Sequence, residues 1–467
     1  MLRNLIRNSM SSVMVPIVKT GITFIMAPVI VHSLGNYDYG VWEIVFAVVG
    51  YMGMLDLGLS PAIIRYVSRQ LALGDSAELN RIYSSSMAFF LPVGVLMSAL
   101  LVLGALFPHG FFSEPENLEG NKYSIFLLIV AVQVLATFVG LVFDAFLEGF
   151  QRYSLRNYTT IIVSVLGALV MYPLLKAGGG LLVLAAGNAI GFTTKIIVYG
   201  VTLARKKNGG FRFRRQDVSR ATLKELISFG LKSFIYATSF SIGNLSGKII
   251  IGAFISPVAV TFYTIPVNLL GQMRNLIWAA VRVFVPVFSE LDARNQMDEA
   301  RSLLYAASRY ALALIIPMLA GICILGPDFL RFWIGNDYAE QGRYVIYIMS
   351  AAYFLQWLCP FRNRFLTGVG KLDLQARLGV VGVVLNLTVS ILLVGYWGIE
   401  GVAFGTLFPE IFLQPYLLWF TCSVAGGELT GYLRSVFIPL MVPISINVFA
   451  LFWFKSIFPP HSLWAVL

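Results

Sequence analysis

Apolar residues fall in long runs separated by short polar segments, and this pattern continues from one end of the chain to the other. Each run is about 20 residues, the length an α-helix needs to cross about 30 Å of hydrocarbon. Barrel strands would instead give short alternating segments. The pattern predicts an all-α polytopic membrane protein. Its spans fall at about residues 9–31, 39–59, 84–106, 123–146, 158–175, 181–203, 233–255, 258–285, 310–325, 344–365, 379–396, 402–424 and 436–454. Residues 289–309, mixed in charge, read as an amphipathic helix, and residues 327–343 as a loop on the opposite face. The last residues, 461–467, open another apolar run that stops at once, so one or two spans follow the twelfth.

Composition fits this reading. Only 12% of the 467 residues are charged, where soluble domains carry about 25%. Lys and Arg divide unequally between the loops. One face collects about 24, the other four or five (Lys122, Lys176, Arg331, Arg343, Lys455). The positive-inside rule then places the amino terminus in the cytoplasm. It also accounts for the net charge of +11 without a nucleic-acid partner. Arg3 and Arg7 precede a run too long for a cleaved signal, so this is a retained first span. The densest basic cluster is Arg205, Lys206, Lys207, Arg212, Arg214, Arg215, Arg220, Lys224 and Lys232. It is either a solvated linker or a surface for anionic lipid heads. Cys323, Cys359 and Cys422 lie in apolar runs, and His32, His109 and His461 are far apart. Neither set suggests a disulfide framework, a metal site or a resident cofactor.

The chain also repeats itself. FLEGFQRYSL at 146–155 and FLTGVGKLDL at 365–374 both fit F-L-x-G-x-x-[RK]-x-x-L. GDSAELNRIY after the second span matches NQMDEARSLLY after the eighth, and the glycine-rich turn at 178–180 matches 397–401. A six-plus-six duplication follows. It divides the chain into an amino-terminal lobe (1–204), a basic linker (205–232), a second lobe (233–425) and an added carboxyl-terminal part (426–467). An even number of spans per repeat relates two six-helix lobes by a pseudo-two-fold axis along the membrane normal, around a central cleft.

The stretch at 34–70, LGNYDYGVWEIVFAVVGYMGMLDLGLSPAIIRYVSRQ, carries LGxxxYGxW (Leu34, Gly35, Tyr39, Gly40, Trp42) and DLGL followed by Arg65. With the repeated FLxG turns and the span count, it resembles the polysaccharide-exporter branch of the multidrug/oligosaccharidyl-lipid/polysaccharide (MOP) flippase superfamily, which includes O-antigen flippases of the Wzx type. The resemblance implies a flippase, not an enzyme. It would carry an undecaprenyl-diphosphate-linked oligosaccharide from the cytoplasmic to the outer leaflet of the bacterial inner membrane by alternating access. It also implies coupling to protons or sodium, and association with glycan polymerase and chain-length machinery.

Charges inside the spans fit that expectation. A mid-membrane charge costs about 3 kcal/mol on insertion scales and should meet a partner or a wet cavity. Lys195, Lys248 and Arg274 are deep; Lys19 either snorkels or lines the cavity; Arg282 lies nearer the inner surface. These five are the candidate cationic cavity for a diphosphate. Arg362 and Arg364 read as inner-surface charges. Among the acids, Glu43, Asp56, Asp144 and Glu410 are the ion-coupling candidates, with Asp56 alternatively paired to Arg65. Asn244, Asn268, Gln272 and Asn275 form a polar stripe that either lines the cavity or joins helices. Trp42, Tyr51, Tyr263, Trp278, Trp333 and Trp357 either stack on sugars or anchor the interface. A drug or metabolite antiporter of the same superfamily is the alternative. A glycan polymerase or ligase is a distant one, since outer loops of about 20 residues at most leave little room for a catalytic domain.

Overall fold

Within hydrocarbon a backbone amide finds no water, so its hydrogen bond must come from its own segment. The computed structural model describes residues 2–107, 121–205, 211–281, 284–371 and 373–457, and every regular element among them is a helix. In order these are α1 (Leu2–Gly53), α2 (Leu59–Leu73), α3 (Ser76–Leu106), α4 (Lys122–Gly149), α5 (Tyr153–Lys176), α6 (Gly180–Ala204), α7 (Arg220–Phe254), α8 (Pro257–Val281), α9 (Val285–Ala293), α10 (Met297–Trp333), α11 (Asn336–Gln356), α12 (Arg362–Gly368), α13 (Asp373–Val424), α14 (Leu429–Val436) and α15 (Ile438–Ile457).

Eight helices among the described residues are long and apolar enough to cross a membrane. Two of them are 52 residues long, and each is bent at one glycine: α1 at Gly35 (φ 74°, ψ 173°) and α13 at Gly398 (φ 59°, ψ −133°). Each arm is of membrane length, so two expected spans share one element. The loops expected at 32–38 and 397–401 are therefore corners. A side chain would be strained at either φ. The polar segment before the ninth span also differs from expectation. It divides at Asn295 (φ 56°) into α9 and the first turns of α10. The loop expected at 327–343 is mostly helix, interrupted at Ile334–Gly335. The span expected at 344–365 is broken between Gln356 and Arg362, where Pro360 lacks an amide hydrogen. Polar residues keep α8 and α11 below the apolarity of a span, while α7 carries an apolar segment at Leu245–Phe254. α11, for instance, starts with Asp337, Glu340 and Arg343.

The chain divides into two compact units, Met1–Thr238 and Ser239–Leu467. In the first, α4 packs on α2, α3 and α6, and α1 packs on α5. The start of α7 is held to this unit by small residues: a Cβ on Gly58 would sit 2.3 Å from the Gly230 carbonyl oxygen. The Arg65 guanidinium lies 4.6 Å from the Phe229 ring centre. Burial, with a hydrogen bond donated by its hydroxyl to Glu225, pushes the neighbouring Tyr66 phenol above its usual range. In the second unit, α11 packs on α8, α10 and α13, and α12 on α9. Its core gathers Phe288, Leu304, Leu312, Phe365, Leu418 and Tyr432. The added α15 is tied to α10 by Lys455, whose Nζ is 2.7 Å from Asp328 Oδ2.

The two FLxG turns have the same setting, each in its own unit. Phe146, Leu147, Phe365 and Leu366 are fully buried. Phe146 meets Tyr83 edge to face, and Phe365 meets Phe288 likewise, each at 5.4 Å. Ser68 Oγ donates to the Gly149 carbonyl (3.0 Å), and Ser289 Oγ donates to the Gly368 carbonyl (3.1 Å). A Cβ on Gly149 would lie 2.6 Å from Val67 Cγ1, and one on Gly368 would lie 2.6 Å from Phe288 Cβ. Val67 and Phe288 are both fully buried, so neither can give way. Gly149→Ala and Gly368→Ala should each cost about 1 to 3 kcal/mol by overpacking. Gly21→Ala, with open space around it, should be neutral or slightly stabilising. Thermal unfolding in detergent reads all three; equal melting temperatures would refute the close-packing account.

Candidate functional site

Charged and polar side chains gather inside each unit. In the first unit, α4 carries Asp144 and Glu148 four residues apart, on one face of the helix. The FLEGFQR turn reverses the chain, and Arg156 in the first turn of α5 reaches back to both acids. Its Nε is 2.9 Å from Asp144 Oδ1, and its Nη1 is 3.1 Å from Glu148 Oε2. A planar guanidinium suits two acceptors at once. Above it, the Tyr199 hydroxyl on α6 donates to the Arg156 carbonyl at 3.1 Å. One turn earlier on α6, Lys195 places its ammonium 4.7 Å from the Phe192 ring centre and 6.0 Å from that of Tyr199. Lys19 on α1 is exposed and within electrostatic reach of Lys195, Arg156 and Asp144. Asn157 Nδ2 donates to Ser11 Oγ at 3.0 Å, which ties α5 to α1 beside this group. Three cations thus meet two carboxylates, and one positive charge is left over.

In the second unit the corresponding centre is mostly carboxamide. Arg362, at the start of α12, is only 6% exposed. Its Nη1 donates to Gln414 Oε1, and Gln414 Nε2 donates to Glu410 Oε2. Gln356 Nε2 donates to the other Glu410 oxygen at 2.7 Å. A guanidinium only donates and a carboxylate only accepts, so the Gln414 amide has one possible orientation. It links opposite charges that do not touch. Nearby, Gln375 on the first arm of α13 donates to Asn363 Oδ1. Asn386, also on that arm, joins Ser246 on α7 (3.2 Å) to Thr406 on the second arm (3.1 Å). Arg274 on α8 donates to the Tyr353 hydroxyl at 3.4 Å, and its guanidinium carbon lies 5.8 Å from the Trp278 ring centre.

The residues singled out from sequence are therefore scattered between several settings. Lys19, Asp144 and Lys195 come together, and sequence reading missed Arg156 and Glu148 beside them. Two acids twelve and eight residues before an arginine, across a reverse turn, were the available signal. Glu410 is at the centre of the second network, and Lys248 is half-buried on α7. Arg362 is a buried partner in that network rather than an inner-surface charge. Arg282 lies outside the described residues. Glu43 is buried. Asp56 does not pair with Arg65: its Oδ1 accepts from the backbone and hydroxyl of Ser60 (3.1 and 3.0 Å), at the start of α2. Among the described residues no group of three or more His, Cys, Asp or Glu could hold a metal ion.

Known proteins resemble this chain along most of its length. A Haloferax volcanii protein named "Probable low-salt glycan biosynthesis flippase" is 21% identical over 96% of this chain and 93% of its own. A Shigella flexneri protein carrying the name O-antigen transporter is 20% identical, over 84% of this chain and 92% of its own. Among solved structures, an inward-facing multidrug transporter of the MOP superfamily has a TM-score of 0.70 at 15% identity, covering 90% of this chain and 99% of that one. The lipid II flippase MurJ, inward closed, has a TM-score of 0.69 at 14% identity, covering 97% and 98%. The profile of the family described as "Polysaccharide biosynthesis protein" matches residues 5–292. The chain belongs to that family, with the fold of the MOP superfamily, and is a multi-pass membrane transporter rather than an enzyme.

Proposed function

We propose that this transporter flips an undecaprenyl-diphosphate-linked oligosaccharide, the repeat unit of an O-antigen or another surface polysaccharide, to the outer leaflet of the bacterial inner membrane by alternating access. The observation that carries this reading is the excess of cation over acid around Arg156. A diphosphate brings about two negative charges, and charge-assisted bonds to guanidinium and ammonium groups are the strong ones at low dielectric. Lys19, Lys195 and Arg156 supply them in the first unit; Lys248, Arg274 and Arg282 are assigned the same task in the second. The two units are assigned as duplicated lobes, 1–204 and 233–425, and the amino terminus is placed in the cytoplasm. Polymerase and chain-length proteins take the product onward.

Ion coupling is assigned to Glu410, which holds two carboxamide donors and sees Arg362 only through Gln414. Asp144, which answers Arg156, is the coupling candidate of the first unit, while Glu43 and Asp56 are secondary candidates. The antiporter reading differs in the sign of the cargo: a cationic site repels cationic dyes.

The test is export of surface glycan by cells that depend on this chain. Lys195→Ala, Arg274→Ala and Arg156→Ala should each reduce it by about tenfold to a hundredfold, with protein levels unchanged. Arg156→Asp combined with Asp144→Arg should keep protein levels and still not restore export. Normal export by all the single variants, or efflux of a cationic dye by the wild type, would overturn the assignment. Glu410→Gln should leave glycan binding intact and abolish the dependence of export on a proton or sodium gradient. An unchanged gradient dependence would remove Glu410 from the coupling role.

A further inference from the structure

Between α6 and α7 the chain forms a strap. Phe211 is buried: its amide donates to the Leu203 carbonyl (3.2 Å), and its ring packs against Tyr83, Phe146 and Phe150. Beyond it the strap runs along the start of α3. The amide of Arg212 donates to Asn80 Oδ1 (3.3 Å), that of Arg214 to Ser84 Oγ (3.2 Å), and that of Ser219 to Ser85 Oγ (3.0 Å). Asn80 in turn donates to Asp217. The anchoring uses backbone amides, one buried ring and an acid. The side chains of Arg212, Arg214 and Arg215 stay exposed. None of these three forms an ion pair among the described residues. Phe213 stands between them, 53% exposed.

The depth of the strap follows from α3. Its 31 residues give about 46 Å, against about 30 Å of hydrocarbon. With Leu106 at one boundary, the other falls about 20 residues back, near Met87. Ser84 and Ser85, which hold the strap, therefore lie just beyond the hydrocarbon, among headgroups. An exposed phenylalanine and three exposed guanidiniums at that depth match the two layers of a lipid surface.

We propose that residues 212–215 form a fixed binding surface for anionic phospholipid headgroups: the arginines bind phosphate, and Phe213 enters the acyl boundary. The linker is thereby a membrane-facing clamp on the first unit. This surface would bind lipid independently of the transported glycan.

The experiment uses the full-length protein without glycan, in nanodiscs of phosphatidylcholine with and without phosphatidylglycerol, with bound lipid counted by native mass spectrometry. Wild type should retain phosphatidylglycerol preferentially, and rising salt should release it. Arg212→Gln/Arg214→Gln/Arg215→Gln keeps the backbone anchors and should bind it on the order of a hundredfold more weakly, at about one kcal/mol per basic residue. Phe213→Ser should weaken retention less and leave its salt dependence unchanged. Arg294→Gln, where the charge is already answered by Glu290 at 2.6 Å, should change nothing. Equal retention by the triple variant would overturn the proposal. So would competition by inorganic diphosphate alone, which would make the strap a soluble-anion site.

Discussion

A guanidinium that leaves water has to be met by acceptors, and this requirement sets much of the interior. Arg156 takes two carboxylates; Arg362 takes a carboxamide that passes the interaction to Glu410. At Arg362, only 6% exposed, removing the partner would leave a buried charge uncompensated, which costs far more than the pair contributes. These contacts therefore fix where α5 begins relative to α4, and how α12 meets the second arm of α13. In this chain, local geometry and charge chemistry cannot be separated.

The apolar runs were legible because span length is set by bilayer thickness. The breaks at 32–38 and 397–401 were legible for the same reason; that each is a corner at one glycine inside a continuous helix was not, since a single positive φ turns the chain within a residue. Arg362 was misread for a related reason. It stands close to a basic loop in sequence, but the break after Gln356 turns it inward. Arg156 was hidden inside a basic turn, and its partners became visible only once the turn was folded. Asp56 was legible as an acid needing a partner; that the partner would be Ser60, four residues on, follows from helix-start geometry.

In the register set by the two FLxG turns, Asp144, Arg156 and Lys195 fall opposite Asn363, Gln375 and Gln414. Arg156 bonds Asp144, and Gln375 bonds Asn363. Donor and acceptor keep their places while the formal charges vanish. The cost of burying amides is lower than that of burying ions, so a unit can keep this joint without an ionic function. The fold is shared with solved MOP-superfamily structures at 14–15% identity. The charges themselves are few enough to be replaced singly.

The bend at Gly398 has one more effect. Gln375 lies on one arm of α13, and Glu410 and Gln414 lie on the other. Their tethers, Asn363 and Arg362, are adjacent residues at the start of α12. The two arms and α12 thus close a triangle whose apex angle is set at a single backbone unit. Any opening of that angle must be shared between a neutral amide bond on one side and the Arg362–Gln414–Glu410 chain on the other, so the mechanical state of the helix and the electrical state of the carboxylate are one variable.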